Sequence, residues 1–228
     1  MGLLAKLFND ASDTEFKLAQ DLVAIAIADG EISEAERKTI IEICHKEGVS
    51  DDTVNDCLMG FDKDVKALIP AKRKEKTDYI TKLIRVMGVD GVSSHMEIYL
   101  LEIIASKMGF SHLDLVSLVL MTATRTFFSG DTGSRTLSSF LHNVIDPKGK
   151  NLRENRDNIK KIFDLMAENV PQLQNKEEDK AAFVKAMNAA TDFLMENSLL
   201  CNEFRMMGID FEMVLMDERE QAIRRWIR

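Results

Sequence analysis

Cysteine is scarce in this chain. Cys44, Cys57 and Cys201 are the only three among 228 residues, and they show no C-x-x-C spacing. An odd, scattered set argues against a disulfide framework or a zinc ribbon and fits a reducing compartment. Proline is as rare, at 3 residues, and aromatics make up 7% against 13 methionines, a balance that favours helices over sheets. No signal peptide is visible in this sequence and no apolar run reaches about 18 residues, so a cytoplasmic protein with no integral membrane segment is expected. The four histidines, His45, His95, His112 and His142, form no H-E-x-x-H or other ligand spacing. No Ser or Cys has the sequence context of an activated nucleophile. The expectation is a protein that is not an enzyme.

Positive charge is also short. Lys and Arg number 30 against 38 Asp and Glu, for a net charge of −8. The imbalance lies in residues 1–120, which hold 14 basic and 21 acidic residues, whereas 121–228 hold 16 and 17. Phosphate neutralisation needs a basic face, so nucleic acid is not an expected partner. A cation or a basic protein surface suits the acidic half better. Hydrophobic residues at 45% are enough to build a core, in one large domain or two small ones.

What organises the chain is a repeat. Residues 28–50 read ADGEISEAERKTIIEICHKEGVS and residues 89–111 read VDGVSSHMEIYLLEIIASKMGFS, aligned without a gap at an offset of 61. The offset brings Asp29 onto Asp90, Gly30 onto Gly91, Ser33 onto Ser94, Glu36 onto Glu97, Lys46 onto Lys107, Gly48 onto Gly109 and Ser50 onto Ser111. Matches in register, on residues that set chain geometry, argue for an internal duplication. Gly30 and Gly91 supply a turn. Ser33 and Ser94 stand three residues before Glu36 and Glu97, the spacing of a capping box, and Gly48 and Gly109 stand where the next helix should stop. Each copy reads as helix, tight acidic turn, helix. Asp29 and Asp90 are the surplus, since capping does not call for an acid before the glycine.

The rest of the chain is helical as well. A short first helix is expected at Met1–Phe8, docked on the core or lying on a membrane surface. Its Met-Gly start resembles a myristoylation signal, but Lys6 occupies the Ser/Thr position. A second helix is expected from a cap at Ser12 or Asp13 to Ile27. Further helices are expected at about 34–47, from Ser50, over 71–87, over 94–108 and from Ser111 into a strongly apolar run. Residues 129–134, SGDTGS, read as a linker, with DPKGKN at 146–151 as a second cleavable stretch. Beyond it, Ile159, Ile162, Phe163, Met166 and Val170 form one helical stripe and Phe183, Met187, Ala190 and Leu194 another. Asp210 can cap a last helix through Phe211, Leu215, Ile223 and Trp226. The expected fold is all-α: a helical domain over 1–128 with the internal repeat, then a helical region over 135–228 that carries no motif naming a chemistry.

The acidic turns look like the second half of an EF-hand loop, but the first and third loop positions fall on Ile25 and Ile27, and on Val86 and Gly88, none of which ligates calcium by its side chain. The segments 28–36 (ADGEISEAE), 89–97 (VDGVSSHME) and 108–110 (MGF) resemble the TerB-like family of bacterial tellurite-resistance and stress-response proteins, over roughly residues 14–128. The resemblance implies an all-helical, pseudo-twofold domain formed by the duplicated helix-turn-helix pairs, with no established catalysis and an acidic patch for a divalent cation. Carried over by position, that patch comprises Asp29, Glu36, Asp90 and Glu97, an oxygen-rich set suited to calcium, magnesium or manganese. Val92 and His95 stand where the first copy has Glu31 and Glu34, which thins the patch. The function so implied is a non-enzymatic stress-response scaffold acting on other proteins, a membrane-associated complex among the settings, with the cation as modulator. The alternatives are a divalent-metal sensor and a metal-dependent hydrolase.

Overall fold

The computed structural model describes residues 3–28, 30–60, 70–90, 93–123, 141–168, 177–196 and 198–227, with the backbone alone for 3–12, 123, 178–179 and 198–199. Among these residues there are ten α-helices and no strand. They are α1 Leu3–Ala26, α2 Glu34–Lys46, α3 Asp51–Leu58, α4 Arg73–Met87, α5 His95–Lys107, α6 His112–Ala123, α7 Leu152–Glu168, α8 Glu177–Met195, α9 Ser198–Met206 and α10 Phe211–Trp226. No helix among the described residues is long and apolar enough to cross a membrane.

The two N-terminal helices expected from the sequence are one. α1 runs without a break through Ser12 and Asp13. The stretch Asn9–Thr14 contains neither Gly nor Pro, and a Ser or Asp caps a helix only where the backbone before it is extended. With nothing to break the chain, both residues stay inside the helix.

The contacts divide the chain into two compact units, residues 1–90 with 94–104, and residues 91–93 with 105–228. This division falls inside α5. The stretch 129–134, expected as a linker, lies outside the described residues.

In the first unit α1 packs against α2, α3 and α4. Leu22, Ile25 and Ala26 of α1, Ile40 of α2 and Ile80, Leu83, Ile84 and Met87 of α4 are fully buried. Each large aliphatic side chain so removed from water contributes about 1.5–3 kcal/mol. One polar knot crosses this core. Tyr79 of α4 donates its hydroxyl hydrogen to Asp21 Oδ2 of α1 at 2.7 Å, and Lys17 pairs with the same carboxylate. Burial, and then the Asp21 charge, push the Tyr79 hydroxyl far above its usual pKa, so it remains a donor.

In the second unit α7 packs on α6 and α10, α8 on α6 and α10, and α9 on α10. The sequence stripes are its core: Ile159, Ile162, Phe163 and Met166 on α7, and Phe183, Met187, Ala190 and Leu194 on α8, are all buried. Val170, the last residue of the first stripe, lies outside the described residues. Phe204 and Phe211 stack across the α9–α10 turn with ring centroids 4.4 Å apart.

The repeated sequence positions repeat their local geometry. Ser33 N–H donates to Glu36 Oε2 at 2.8 Å while Glu36 N–H donates to Ser33 Oγ at 3.2 Å. Ser94 N–H donates to Glu97 Oε2 at 2.5 Å while Glu97 N–H donates to Ser94 Oγ at 3.2 Å. At the far ends of α2 and α5, Val49 N–H returns to Cys44 O at 2.9 Å and Phe110 N–H to Ala105 O at 3.0 Å. Gly48 and Gly109 make both returns possible, with φ of +80° and +82°. Ser50 and Ser111 then open α3 and α6, their hydroxyls accepting from Thr53 N–H and Asp114 N–H.

Candidate functional site

In the part that is described, both turns tie their glutamates to the helices they open. Glu36 and Glu97 are 4% and 2% exposed, and each commits one carboxylate oxygen to its own capping box. Asp90 is exposed on the turn after α4. Asp29 lies outside the described residues. Among the described residues, Glu36, Asp90 and Glu97 do not converge into a three-ligand group.

A different set does converge. One ligand atom each from His142, Asp146 and Glu203 lie within 4.8 Å of one another, all three residues half-buried. They come from two places: the turn before α7 and the middle of α9. His142 Nδ1 stands 3.5 Å from Glu203 Oε2, and Lys148 Nζ stands 3.0 Å from Glu203 Oε1. Glu203 Oε2 is shut off from solvent and accepts no hydrogen bond.

The turn that carries His142 and Asp146 is held by α7. Asn155, 1% exposed, accepts from Asp146 N–H at 3.0 Å and donates from Nδ2 to Asp146 O at 3.1 Å. Asn158 Nδ2 donates to Val144 O at 2.6 Å. Asp146 Oδ1 accepts from Lys148 N–H at 2.9 Å. The Gly149 N–H, with that of Lys148 and the nearby charges of Lys150 and His142, holds the Asp146 carboxyl below its usual range against a smaller opposing effect of burial. A Cβ on Gly149 would stand 2.2 Å from Asp146 Oδ2, so only glycine leaves room for the carboxylate in this position.

Sequence reasoning missed this group. His142 and Asp146 are four residues apart and were each visible, but Glu203 is distant in the chain and no spacing links it to them. The Asn155 and Asn158 side chains that position the turn gave no signal either.

Two further surfaces stand out among the described residues. In the first unit a cleft of about 580 Å³ has Leu18 and Tyr79 in its wall and Glu15, Glu47, Glu75 and Asp78 around it. Lys82 pairs with Glu47 at 2.8 Å. In the second unit, Met206, Met207, Met213 and Met216 are 80%, 56%, 62% and 37% exposed. All four lie on the end of α9, the turn after it and the first two turns of α10. Beside them a depression of about 580 Å³ is lined by Met195, Cys201, Arg205, Ile209 and Phe211, among others.

Comparison of the chain with protein-family models, curated proteins and solved structures finds no match.

The cysteines are not poised for chemistry. Burial pushes the Cys44 thiol up to about 12, with the neighbouring Cys57 and Glu47 adding to the rise. Burial also raises Cys57 and Cys201. A thiolate is the reactive form, and these surroundings disfavour it.

Proposed function

We propose that this chain is a non-enzymatic interaction scaffold that binds partner proteins through the methionine-bearing α9–α10 hairpin. The observation that carries the reading is the concentration of exposed methionines at 206, 207, 213 and 216. Exposed large apolar side chains gathered on one short segment mark a contact surface. Methionine is unbranched and polarisable, and it adapts to partners of differing shape. Such a surface suits the apolar face of an amphipathic helix. Helix caps account for part of the acidity at the turns, and the raised thiols supply no nucleophile, both of which favour binding over catalysis. The likeness of residues 14–128 to the TerB-like family adds a stress-response setting, with a divalent cation at Asp29, Glu36, Asp90 and Glu97 as modulator.

The test is quantitative capture of host proteins by the full chain and by a Met206→Lys/Met213→Lys variant. Both positions are exposed, so the variant keeps the wild-type thermal midpoint. The expected result is a set of partners enriched on the wild type and lost from the variant. Equal capture by the two proteins overturns the hairpin as the contact surface.

A further inference from the structure

We propose that His142, Asp146 and Glu203 form a binding site for one divalent transition-metal ion of the zinc class, separate from the acidic turns. The proposal does not rest on the interaction reading above. Three donors of the right kinds, one imidazole nitrogen and two carboxylates, lie within 4.8 Å of one another. Imidazole with carboxylate is a donor set for zinc and neighbouring first-row ions, whereas calcium and magnesium take oxygen.

The second observation concerns Glu203 Oε2. That oxygen is shut off from solvent and accepts no hydrogen bond, and His142 Nδ1 stands 3.5 Å from it; the Glu203 side chain as a whole is 21% exposed and pairs with Lys148 through Oε1. A carboxylate oxygen shut off from water without a donor is costly, and in native proteins such an orphan marks a missing partner, a water or an ion. A cation between Glu203 Oε2, the His142 ring and the Asp146 carboxylate satisfies it. The alternative, an imidazolium donating to Glu203, requires a shorter approach than the one present.

The site is also prepared on the loop side. Asn155 grips both backbone groups of Asp146, and Asn158 holds Val144. Gly149 leaves a space beside Asp146 that any Cβ would fill. Zinc bonds of about 2.0–2.2 Å place tetrahedral ligands roughly 3.4 Å apart, so closure about an ion needs a movement of about 1 Å, within reach of the Glu203 and His142 side chains. Lys148 Nζ, which now pairs with Oε1, belongs to a side chain that is 65% exposed and can swing into solvent when the cation takes over the charge. Three protein ligands leave at least one coordination position for water. The ion would tie the turn at 142–150 to α9.

The test uses the full chain stripped with chelator, titrated with Zn²⁺ by calorimetry, with Mg²⁺ as the control ion. The expected result is one Zn²⁺ per chain, a raised thermal midpoint, and no competition from Mg²⁺ for that Zn²⁺. His142→Gln and Glu203→Gln each weaken binding roughly tenfold or more, whereas Cys201→Ser leaves it unchanged. Absence of binding to the wild type overturns the proposal. So does binding that survives both ligand substitutions, or that is lost with Cys201→Ser. Should either ligand variant fail to fold, amide shift mapping on the wild type decides. Zn²⁺-dependent shifts at 142–150 and around Glu203 support the site, and shifts confined to other segments overturn it.

Discussion

Tyr79 and Asp21 meet at 2.7 Å across the α1–α4 interface, hydroxyl to carboxylate, in a region otherwise packed with aliphatic side chains. The bond makes the interface specific, because sliding one helix past the other takes the Tyr79 donor away from a buried carboxylate. Tyr79→Phe keeps the ring and removes the donor, leaving Asp21 with Lys17. The expected loss of stability is about 1–3 kcal/mol, read from chemical denaturation of the purified chain. A change below the error of the measurement would mean that Lys17 alone satisfies the carboxylate.

The two capping boxes make Ser33 and Ser94 more important than exposed polar residues generally are. Replacing either by Ala leaves a helix N–H unpaired and is expected to cost about 0.5–2 kcal/mol. Glu36→Gln and Glu97→Gln keep an acceptor at the same place, since a capping box takes Gln as well as Glu. In chelator these two variants are expected to melt close to the wild type. Without chelator, a divalent ion that raises the wild-type midpoint and not theirs would place the acidic turns among the ligands.

Gly48 isolates a pure backbone effect. Its φ is +80°, and a Cβ added there would touch nothing within 4 Å. Gly48→Ala therefore introduces strain without a clash, with an expected cost of about 1–2 kcal/mol. Gly48→Asn should cost less, because Asn tolerates the left-handed region. Equal losses for the two variants would point to a contact instead of backbone strain.

These cases separate what a linear reading reaches from what it does not. The caps at Ser33, Ser94, Ser50 and Asp210 were legible because each joins residues three apart, so their chemistry is local. The buried stripes of α7 and α8 were legible because helical periodicity writes the core into spacing. The continuity of α1 was not, since Ser12 and Asp13 offer a cap that only the path of the preceding backbone accepts or refuses. Tyr79 on Asp21, and His142 with Glu203, join residues about sixty apart whose meeting depends on how helices pack. The same limit hid the candidate metal group, whose histidine has no ligand spacing in the chain.

The α7–α10 seam should make the second unit acid-sensitive through Asp164. Its Oδ1 accepts from Arg225 Nε at 3.1 Å and Nη2 at 2.9 Å and from Trp226 Nε1 at 3.3 Å, while Lys160 donates to Oδ2 at 2.9 Å. Burial works to raise the carboxyl. The donors from Lys160, Arg225 and Trp226, with the Arg225 charge, outweigh it, and the folded-state pKa lies below the usual value. A depressed folded pKa contributes stability that is present above the unfolded value, about 3.9, and is lost as pH falls through the folded one. Asp164→Asn removes that linkage and keeps an acceptor for Arg225. The thermal midpoint of the wild type should therefore fall more steeply than that of the variant as pH drops below about 4. The variant should be the less stable of the two at neutral pH, with the gap narrowing in acid. Glu218 opposes this trend, since burial, ahead of a partly offsetting Arg156 and an added Asp217 charge, raises its carboxyl. A raised acid loses stability as pH rises, so Glu218 cannot be the source of acid lability. Parallel pH profiles for wild type and Asp164→Asn would shift the origin to other carboxylates, with Asp146 and Asp217, also depressed, the next to replace.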